Sequence, residues 1–316
     1  MREYTLQNES LSFSILDLGA SITSIKYNNG NEWIETTVQY EDRNLYMEGN
    51  PYYLNCIVGP HAGRIKDGKY KIGDEVIELE KSNSGNHLHG GTTGFHKLVF
   101  DVDQTDNQLV LSAFDPSNQI DISLSYTLAE ASLVIEINAK PKYDQVVNMT
   151  QHTYFNLSEE NSIINHLLKV DARCVAALDD TGVPMNKWLD VSGTPFDFFT
   201  KRRIGDALNT YHSQFIISNN IDHPFKTNNG SVTLESEESS IGVMVKSDSE
   251  YTVIYAANYF DSDVEFKDKG PAVKHGALAL EPQDLPNDVN INSSRSQIYG
   301  PQRPFNRLIE YSFYTL

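Results

Sequence analysis

The feature that most constrains this chain is an alternation of apolar and polar side chains with a period of two. Within residues 120–128, every second residue is apolar and the residues between them are Asp, Ser or Thr. Successive side chains of a β-strand point to opposite faces, so this pattern predicts a strand with one buried face. The alternation returns in residues 11–15, 133–139 and 243–245. A fold built from such segments buries its core between β-sheets.

Turn-forming pairs separate the strand-like segments. Asn29-Gly30, Asp67-Gly68 and Asn229-Gly230 favour tight turns, because Asn, Asp and Gly tolerate a positive φ. The second pair predicts a tight hairpin within residues 64–72, and the polar run 235–240 predicts an exposed loop tip. Strands that recur with turns between them are typical of an antiparallel sandwich or barrel.

Helical patterns are nearly absent. The best candidate is the short segment 201–208, and no segment keeps a helical apolar stripe for more than about two turns. The sequence also lacks a linker-like segment and a short repeat. We therefore expect an all-β fold, a large antiparallel β-sandwich, that forms a single domain over residues 1–316.

An excess of acidic residues argues against nucleic-acid binding. Asp and Glu number 43 and Lys and Arg number 25, which gives a net charge of −18 that repels phosphate. The sequence has no apolar run of membrane-spanning length and no secretion signal at its N-terminus. Cys56 and Cys174 are too few for a disulfide framework in a chain of this length. We expect a cytoplasmic protein with two reduced thiols, away from membranes.

Two histidines precede a glycine pair, in the order His87-Leu88-His89-Gly90-Gly91. Alternate residues of a strand face the same way, so His87 and His89 could meet one ligand or one metal ion. A metal would need a third ligand, which His152 or Glu281 could supply. The alternative is that one histidine points into a site while the other packs or meets solvent, since the glycines can break the strand.

Two further segments carry candidate acid–base groups. His152 lies among Thr, Asn and aromatic residues, where it could serve either a site or the internal hydrogen bonding of the fold. Glu281 ends an apolar, strand-like run. A carboxylate there is costly unless it is paired or lies in a cleft, and such burial raises its pKa and suits a general base. The alternative is a residue at the rim that faces water.

Two charged residues have equally simple structural explanations. Arg64 precedes the predicted hairpin, and Asp222 lies beside His223 and Pro224. Either residue could form a turn cap or a surface ion pair. The sequence has no nucleophile elbow, no phosphate-binding glycine loop and no dinucleotide fingerprint, so the common hydrolase and nucleotide-binding motifs are absent.

Taken together and in chain order, these segments resemble the aldose 1-epimerase (galactose mutarotase) family. The matching segments are GPHAGRIKDGKY (59–70), NHLHGGTTGFHKLVF (86–100), NMTQHTYFNLS (148–158), DDTGVP (179–184) with GTPFDF (193–198), IDHPF (221–225) and LALEPQDLP (278–286). Residues 16–27, LDLGASITSIKY, also resemble the opening strands of the family. Each segment alone is moderately specific, whereas six in the same order are hard to obtain by chance.

The resemblance implies a large antiparallel β-sandwich with an open, metal-free sugar site and no cofactor. Glu281 matches the family's general base and His152 its general acid. His89 matches the histidine that contacts the sugar near the ring oxygen. Arg64 and Asp222 match residues that hydrogen-bond sugar hydroxyl groups. The implied substrate is a small-molecule aldose such as glucose or galactose, whose α and β anomers interconvert by ring opening and closure.

Three positions depart from the family pattern. Gly63 stands where Asn is usual, Val253 where Gln is usual, and Pro282 where Thr is usual. We expect these changes to remove polar, sugar-facing groups, and therefore to affect the preferred sugar rather than the reaction.

Three other functions are compatible with parts of the sequence. A hexose-6-phosphate 1-epimerase would need cations, and Lys201-Arg202-Arg203 is the one basic cluster that stands out. A catalytically silent sugar-binding sandwich would explain the altered polar positions, although it would not need the acid–base pair. A metal enzyme is suggested only by His87 and His89.

Overall fold

The computed structural model describes residues 1–291 and 297–316, which form mainly antiparallel strands. The largest sheet has nine strands. In order across this nine-stranded sheet, the strands are Asp101–Gln104, Gln108–Asp115, Ile120–Ala129, Ser132–Pro141, Phe305–Thr315, Ile241–Ser247, Val232–Ser236, Leu167–Val170 and Arg202–Arg203. The all-β prediction is confirmed.

A second large sheet packs against the first and has six strands. In order across this six-stranded sheet, the strands are Tyr154–Phe155, Leu278–Gln283, Tyr251–Tyr255, Asp222–Lys226, Cys174–Leu178 and Pro184–Asp190. A smaller sheet is formed near the N-terminus by Glu3–Gln7, Leu11–Leu16, Ile22–Asn28 and Trp33–Glu35.

Short strands pair two by two around these sheets. The pairs are Ile57–Val58 with Thr150–Gln151, Arg64–Ile65 with His87–Leu88, Lys69–Ile72 with Glu75–Glu78, Gln145–Val146 with Ile298–Tyr299, and Glu265–Phe266 with Gly270–Pro271. The α-helices are Asn44–Met47, Ile204–Leu208, Ser213–Ser218 and Asp288–Ile291, and the 3₁₀ turns are Lys66–Gly68, Gly91–Thr93 and Phe95–Lys97. Within the described ranges, no helix has the length and apolar character needed to span a membrane.

The alternation in the sequence determines which faces form the core. In the strand Ile120–Ala129, Ile122, Leu124 and Tyr126 are buried while the residues between them are more exposed. These side chains belong to one apolar cluster with Leu280 of the six-stranded sheet. Two sheets therefore enclose a shared core, which is the predicted sandwich arrangement.

The same alternation turns polar residues of the six-stranded sheet away from the core. In the strand Leu278–Gln283, Leu280 packs into the core, and Glu281 and Gln283 point to the opposite face. Pro282 shares the face of Leu280, so the expectation that Pro282 replaces a sugar-facing group is wrong.

The hairpin expected within residues 64–72 from a turn signal is also wrong. Asp67 and Gly68 do have positive φ, but the strands on either side of them do not pair. Arg64–Ile65 pairs with His87–Leu88, and Lys69–Ile72 pairs with the next strand in the chain. A turn signal predicts where the backbone changes direction, but it does not predict which strands pair.

The polar run 235–240 is only partly a loop tip. Glu235 belongs to the strand Val232–Ser236 and is 5% exposed, where it meets Lys201 and the Tyr314 hydroxyl. The predicted helix in 201–208 begins at Ile204, after a two-residue strand. Both cysteines are free thiols, as expected.

Candidate active site

A cleft of about 630 Å³ opens on the face of the six-stranded sheet that points away from the core. This volume lies within the range of about 300–1,000 Å³ that is common for small-molecule sites. The five predicted site residues all line this cleft, namely Arg64, His89, His152, Asp222 and Glu281. Segments that are up to about two hundred residues apart in the chain thus meet in one place.

Glu281 lies on the floor of the cleft, in the strand Leu278–Gln283. Its side chain is almost fully buried, and Gln283 donates a hydrogen bond from Nε2 to the Oε2 atom of Glu281 at 3.2 Å. Burial raises the pKa of Glu281 well above its usual value, and the neighbouring carboxylate of Asp222 raises it further. The Gln283 bond occupies one carboxyl oxygen and leaves Oε1 for other partners.

His152 lies between the short strands Thr150–Gln151 and Tyr154–Phe155. Because the second of these pairs with Leu278–Gln283, the imidazole is brought to the strand that carries Glu281. The Nε2 atom of His152 lies 3.3 Å from Oε1 of Glu281. Burial lowers the pKa of His152 to about 4, because a buried imidazolium loses its hydration.

Aromatic rings surround the acid–base pair. The Tyr154 ring lies 4.8 Å from the His152 ring, centre to centre, and the Tyr154 hydroxyl donates to the carbonyl of Tyr52 at 3.0 Å. On the other side, the Tyr53 ring lies 4.7 Å from the His89 ring. Burial lowers the pKa of both imidazoles, and the nearby cationic groups, His152 and Arg64 first among them, lower that of His89 further.

His89 enters the cleft because its backbone leaves the strand. The residue has a φ of 52°, in the left-handed region, directly after the strand His87–Leu88. Its Nδ1 accepts the backbone N–H of Gly63 at 3.2 Å. The neutral ring therefore carries its proton on Nε2, which makes that nitrogen a hydrogen-bond donor. The rings of His89 and His152 are 5.5 Å apart.

Arg64 and Asp222 form a half-buried ion pair beside the floor of the cleft. The Nη1 atom of Arg64 lies 3.4 Å from Oδ2 of Asp222, and Arg64 Nε donates to Oδ1 of Asn83 at 3.1 Å. Asp222 begins the strand Asp222–Lys226, opposite Tyr255. This arrangement offers a cation, a carboxylate and an amide to groups bound in the cleft.

The two histidines of the HLHGG segment do not act together. His87 stays in the strand, where its ring packs against His61, whereas His89 turns into the cleft. This is the second of the two arrangements expected from the sequence. Among residues 1–291 and 297–316, no group of three or more His, Cys, Asp or Glu side chains is placed to hold a metal ion.

The structure accounts for two departures in the sequence. Gly63 has a φ of 73°, and a Cβ there would lie 2.5 Å from Cγ of Pro286. The proline ring therefore fills the space of a side chain at this position. Val253 lies opposite Glu281 in the neighbouring strand and presents an apolar wall to the cleft.

The sequence did not single out several residues that line or support the cleft. Gln283 could have been found, since it lies two residues after Glu281 on the same face of one strand. Asn83, Tyr53 and Tyr255 could not, because they reach the cleft from separate loops and strands. The side chain of Asn148 supports the floor from below, with Nδ2 at 3.5 Å from Oε1 of Gln283.

The basic cluster 201–203 lies outside the cleft lining. Lys201 contacts Glu235, Arg202 donates to the carbonyls of Thr194 and Asp206, and Arg203 contacts Glu237. The three cations are therefore engaged in contacts of their own and do not form a phosphate site in the cleft.

The chemical capacity of the cleft follows from these contacts. A buried carboxyl group and a buried imidazole at hydrogen-bond distance can pass protons to and from a bound hydroxyl group. The guanidinium of Arg64, the carboxylate of Asp222 and the amide of Asn83 suit a ligand with many hydroxyl groups. The geometry favours proton transfer on a sugar.

Known proteins that are similar to this chain are named as epimerases and mutarotases of sugars. The family model for aldose 1-epimerase matches residues 2–312. A galactose mutarotase from Mus musculus is 25% identical over 99% of this chain and 94% of its own length. A maltose epimerase from Levilactobacillus brevis is 27% identical over 98% of this chain and 94% of its own length. The crystal structure of a galactose 1-epimerase from Lactobacillus acidophilus has a TM-score of 0.87 and 27% identity, and covers 99% of this chain and 94% of that one.

Proposed function

Since this chain belongs to the aldose 1-epimerase family, a family of isomerases, we propose that it is a mutarotase that interconverts the α and β anomers of a free aldohexose. The observation that carries the proposal is the buried contact of 3.3 Å between His152 Nε2 and Glu281 Oε1 on the floor of a polar cleft. The reaction needs one acid and one base on a single sugar and no other reactive group.

In this mechanism, Glu281 removes the proton from the hydroxyl group on C1. The C1–O1 bond becomes a carbonyl bond as the bond between C1 and the ring oxygen breaks, and protonated His152 delivers a proton to that oxygen. The open-chain aldehyde then rotates about the C1–C2 bond. Closure on the other face runs the same transfers in reverse, so that each group recovers its starting proton state.

The shifted pKa values support this exchange of roles. Burial raises the pKa of Glu281 and lowers the pKa of His152, and both shifts disfavour the charged forms. In water a carboxyl group is the stronger acid by about two pKa units, so transfer of a proton to a glutamate while a histidinium gives one up would be opposed. The two shifts reverse that order, so the intrinsic acidities of the groups favour the step in which Glu281 takes a proton and His152 delivers one.

The polar groups of the wall support the placement of the sugar. We assign contact with the ring oxygen region to His89, whose Nε2–H is a donor, and contact with sugar hydroxyl groups to Arg64 and Asp222. Val253 offers no hydrogen bond at its position, so the hydroxyl group that meets this wall contributes little to binding.

A 6-phosphate substrate has less support. In the part of the chain that the structure describes, Arg64 is the one Lys or Arg side chain that lines the cleft, and it already lies at 3.4 Å from Asp222. A phosphate dianion would need additional cations. The free sugar is therefore the proposed substrate, and comparison of a sugar with its 6-phosphate tests the choice.

Three wider features belong to the same proposal. The chain acts as one domain over residues 1–316, its partner is a small-molecule aldose rather than nucleic acid, and its location is cytoplasmic. The match of one family model to residues 2–312 supports the first, and the two free thiols are consistent with the third.

Polarimetry tests the function directly. Freshly dissolved α-D-glucose, α-D-galactose and the α or β anomer of maltose are followed with and without the protein, against the spontaneous rate. We expect acceleration with at least one sugar, and a loss of about 10²–10⁴-fold in turnover for Glu281→Gln if Glu281 is the base. Glu35→Gln is the matched control, because Glu35 is a half-buried glutamate whose pKa is also raised by desolvation, and it lies outside the cleft lining.

The outcomes separate the alternatives. A fully active Glu281→Gln variant contradicts the assignment of the base. Saturable sugar binding without acceleration identifies a silent sugar-binding protein, and acceleration only with a 6-phosphate identifies a sugar-phosphate epimerase.

A further inference from the structure

A second pair of histidines lies behind the cleft and outside the proposed acid–base chemistry. His61 and His87 are both buried, at 3% and 4% exposure, and Nδ1 of His61 lies 3.1 Å from Nε2 of His87. Neither residue lines the cleft. Each lies two positions before a residue of the cleft lining, since His61 precedes Gly63 and His87 precedes His89.

The hydrogen-bond partners define the proton positions in this pair. Nδ1 of His87 lies 2.8 Å from the backbone carbonyl oxygen of Glu80, which can only accept, so the proton of His87 is on Nδ1. Its Nε2 is then the acceptor, and His61 must donate from Nδ1. Nε2 of His61 is left as a buried nitrogen without a partner among the described residues. Burial lowers the pKa of both histidines, to about 3 for His61, so both rings are neutral and both carry the proton on Nδ1.

Glu80 extends this chain of contacts to the other side of His89. Its side chain accepts hydrogen bonds from the backbone N–H and the hydroxyl of Thr92, each at 2.8 Å. His87 and Thr92 therefore anchor the backbone before and after His89 to one residue. Between these anchors, three consecutive residues have positive φ, namely 52° at His89, 84° at Gly90 and 62° at Gly91.

The left-handed conformation of His89 needs such anchors. A residue with a Cβ at positive φ is strained, and the strain persists only where the surrounding structure fixes it. Here two hydrogen bonds link His89 to Gly63, from Gly63 N–H to Nδ1 at 3.2 Å and from His89 N–H to the Gly63 carbonyl at 3.3 Å. The His61–His87 bond joins the same two segments one step further from the cleft.

We propose that the buried pair His61–His87 is a positioning element, which holds His89 in its left-handed conformation and so directs Nε2–H of His89 toward the sugar. The inference rests on the proposed function for the role of His89, while its structural part does not depend on activity. His87, which the sequence singled out and the acid–base mechanism does not use, acquires a role as the link between His61 and Glu80.

The proton positions provide a test that is independent of catalysis. Two-bond ¹H–¹⁵N correlation spectra of the protein with labelled histidine distinguish the two neutral tautomers of each ring. We expect His61 and His87 to carry the proton on Nδ1 and His89 to carry it on Nε2. A spectrum in which His87 is protonated on Nε2 overturns the proposal, because the contact with His61 then has the wrong donor.

Two substitutions of His61 separate positioning from packing. His61→Leu removes the donor, whereas His61→Asn keeps an N–H near the place of Nδ1. We expect His61→Leu to lower kcat/KM on the order of 10- to 100-fold, since a misplaced contact group costs this much. We expect His61→Asn to keep most of the wild-type kcat/KM. In the same spectra, His89 of the Leu variant should change to a mixture of tautomers.

A buried histidine elsewhere provides the matched control. His166 is also buried, accepts one backbone N–H, from Leu157 at 3.0 Å, and does not line the cleft. His166→Leu should lower the midpoint of unfolding and leave kcat/KM unchanged. Wild-type kcat/KM in folded His61→Leu overturns the proposal, and if that variant does not fold, the tautomers of the wild-type protein decide. If the wild type shows the expected tautomers but no mutarotation, the proposed function is contradicted, while the positioning of His89 by His61–His87 still holds.

Discussion

The nine-stranded sheet and the cleft are built on opposite rules. In the sheet, long strands bury every second side chain, and the buried residues are apolar, as at Leu124 and Ile135. In the cleft, the elements are two to six residues long, and the buried residues include His89, His152 and Glu281. Burial of apolar side chains stabilises the nine-stranded sheet. The cleft instead contains buried ionisable groups and strained backbone, which its chemistry needs and which lower stability.

This difference teaches where a substitution should affect folding and where it should affect function. Removal of an apolar group in the sheet costs transfer free energy and leaves a cavity. Removal of a buried charge in the cleft relieves a desolvation cost and at the same time removes a reactive group. Substitutions in the sheet should therefore lower the free energy of unfolding, whereas removal of a buried charge in the cleft should raise it and lower activity.

The largest effect on stability is expected in the sheet. Leu124→Ala should lower the free energy of unfolding by about 2–5 kcal/mol, because Leu124 is fully buried between the sheets. The kcat/KM of the protein that remains folded should not change. Denaturant titration and initial rates at low temperature measure the two quantities, and a loss of kcat/KM without a loss of stability would contradict the separation of the two regions.

Gly63 tests whether the backbone of the cleft is as demanding as the core. Gly63→Ala should lower the free energy of unfolding by about 1–3 kcal/mol, since its Cβ would meet Pro286 at 2.5 Å in a left-handed conformation. It should also lower kcat/KM, because Gly63 holds His89. The matched control is Gly30→Ala, which also has a positive φ but has open space around its Cβ and lies far from the cleft in sequence. Equal kinetics in both variants would contradict the role of Gly63.

Glu281 should give the opposite sign. Its pKa is raised in the folded state, so its ionisation favours unfolding, and stability falls as the pH rises from about 4.5 toward the folded pKa. Glu281→Gln should therefore raise the free energy of unfolding relative to the wild type. The difference should grow by about 1.4 kcal/mol for each pH unit above 4.5, until the pH reaches the folded pKa of Glu281. The gain should be present at pH 8 and vanish near pH 4. Denaturant titrations of both proteins at the two pH values measure it, and a less stable variant at pH 8 would refute the sign.

The smallest effect is expected at the surface. Arg203→Ala removes an ion pair with Glu237 whose side chains are 38% and 62% exposed, so the change in stability should be about 0–1 kcal/mol. Turnover with a free sugar and with its 6-phosphate should both stay at the wild-type value. A selective loss with the phosphate would return the basic cluster to consideration as a phosphate site.

The sequence predicted the sheets better than it predicted their connections. The period of two in residues 120–128 identified the buried face of a strand, because that information is local. The partner of Arg64–Ile65 is not local. The chain after Gly68 forms its own hairpin, and the strand that carries His87 arrives later in the sequence. Turn residues define a bend, and only tertiary packing decides which strands meet across it.

The same contrast between local sequence information and tertiary packing holds for the site. The segments of the sequence identified Glu281, His152 and His89 as candidates and drew attention to Arg64 and Asp222, and the resemblance gave each of the five a role. The approach of Glu281 and His152 to 3.3 Å depends on the pairing of Tyr154–Phe155 with Leu278–Gln283, which no single segment encodes. Likewise, the turn of His89 away from His87 depends on a left-handed residue that only its neighbours stabilise.

The position of the strand Phe305–Thr315 has a consequence for how the protein is made. This strand lies between Ser132–Pro141 and Ile241–Ser247, and it joins Ser132 to Ser312 across 180 residues of chain. At a synthesis rate of about 5–20 residues per second, the ribosome needs roughly 10–35 s to supply the missing partner. During that time Ser132–Pro141 is an unprotected edge with open backbone donors and acceptors, to which another chain can add. The central strand of the largest sheet is therefore among the last parts of this chain to be synthesised, and the edge of Ser132–Pro141 is covered only when that strand arrives.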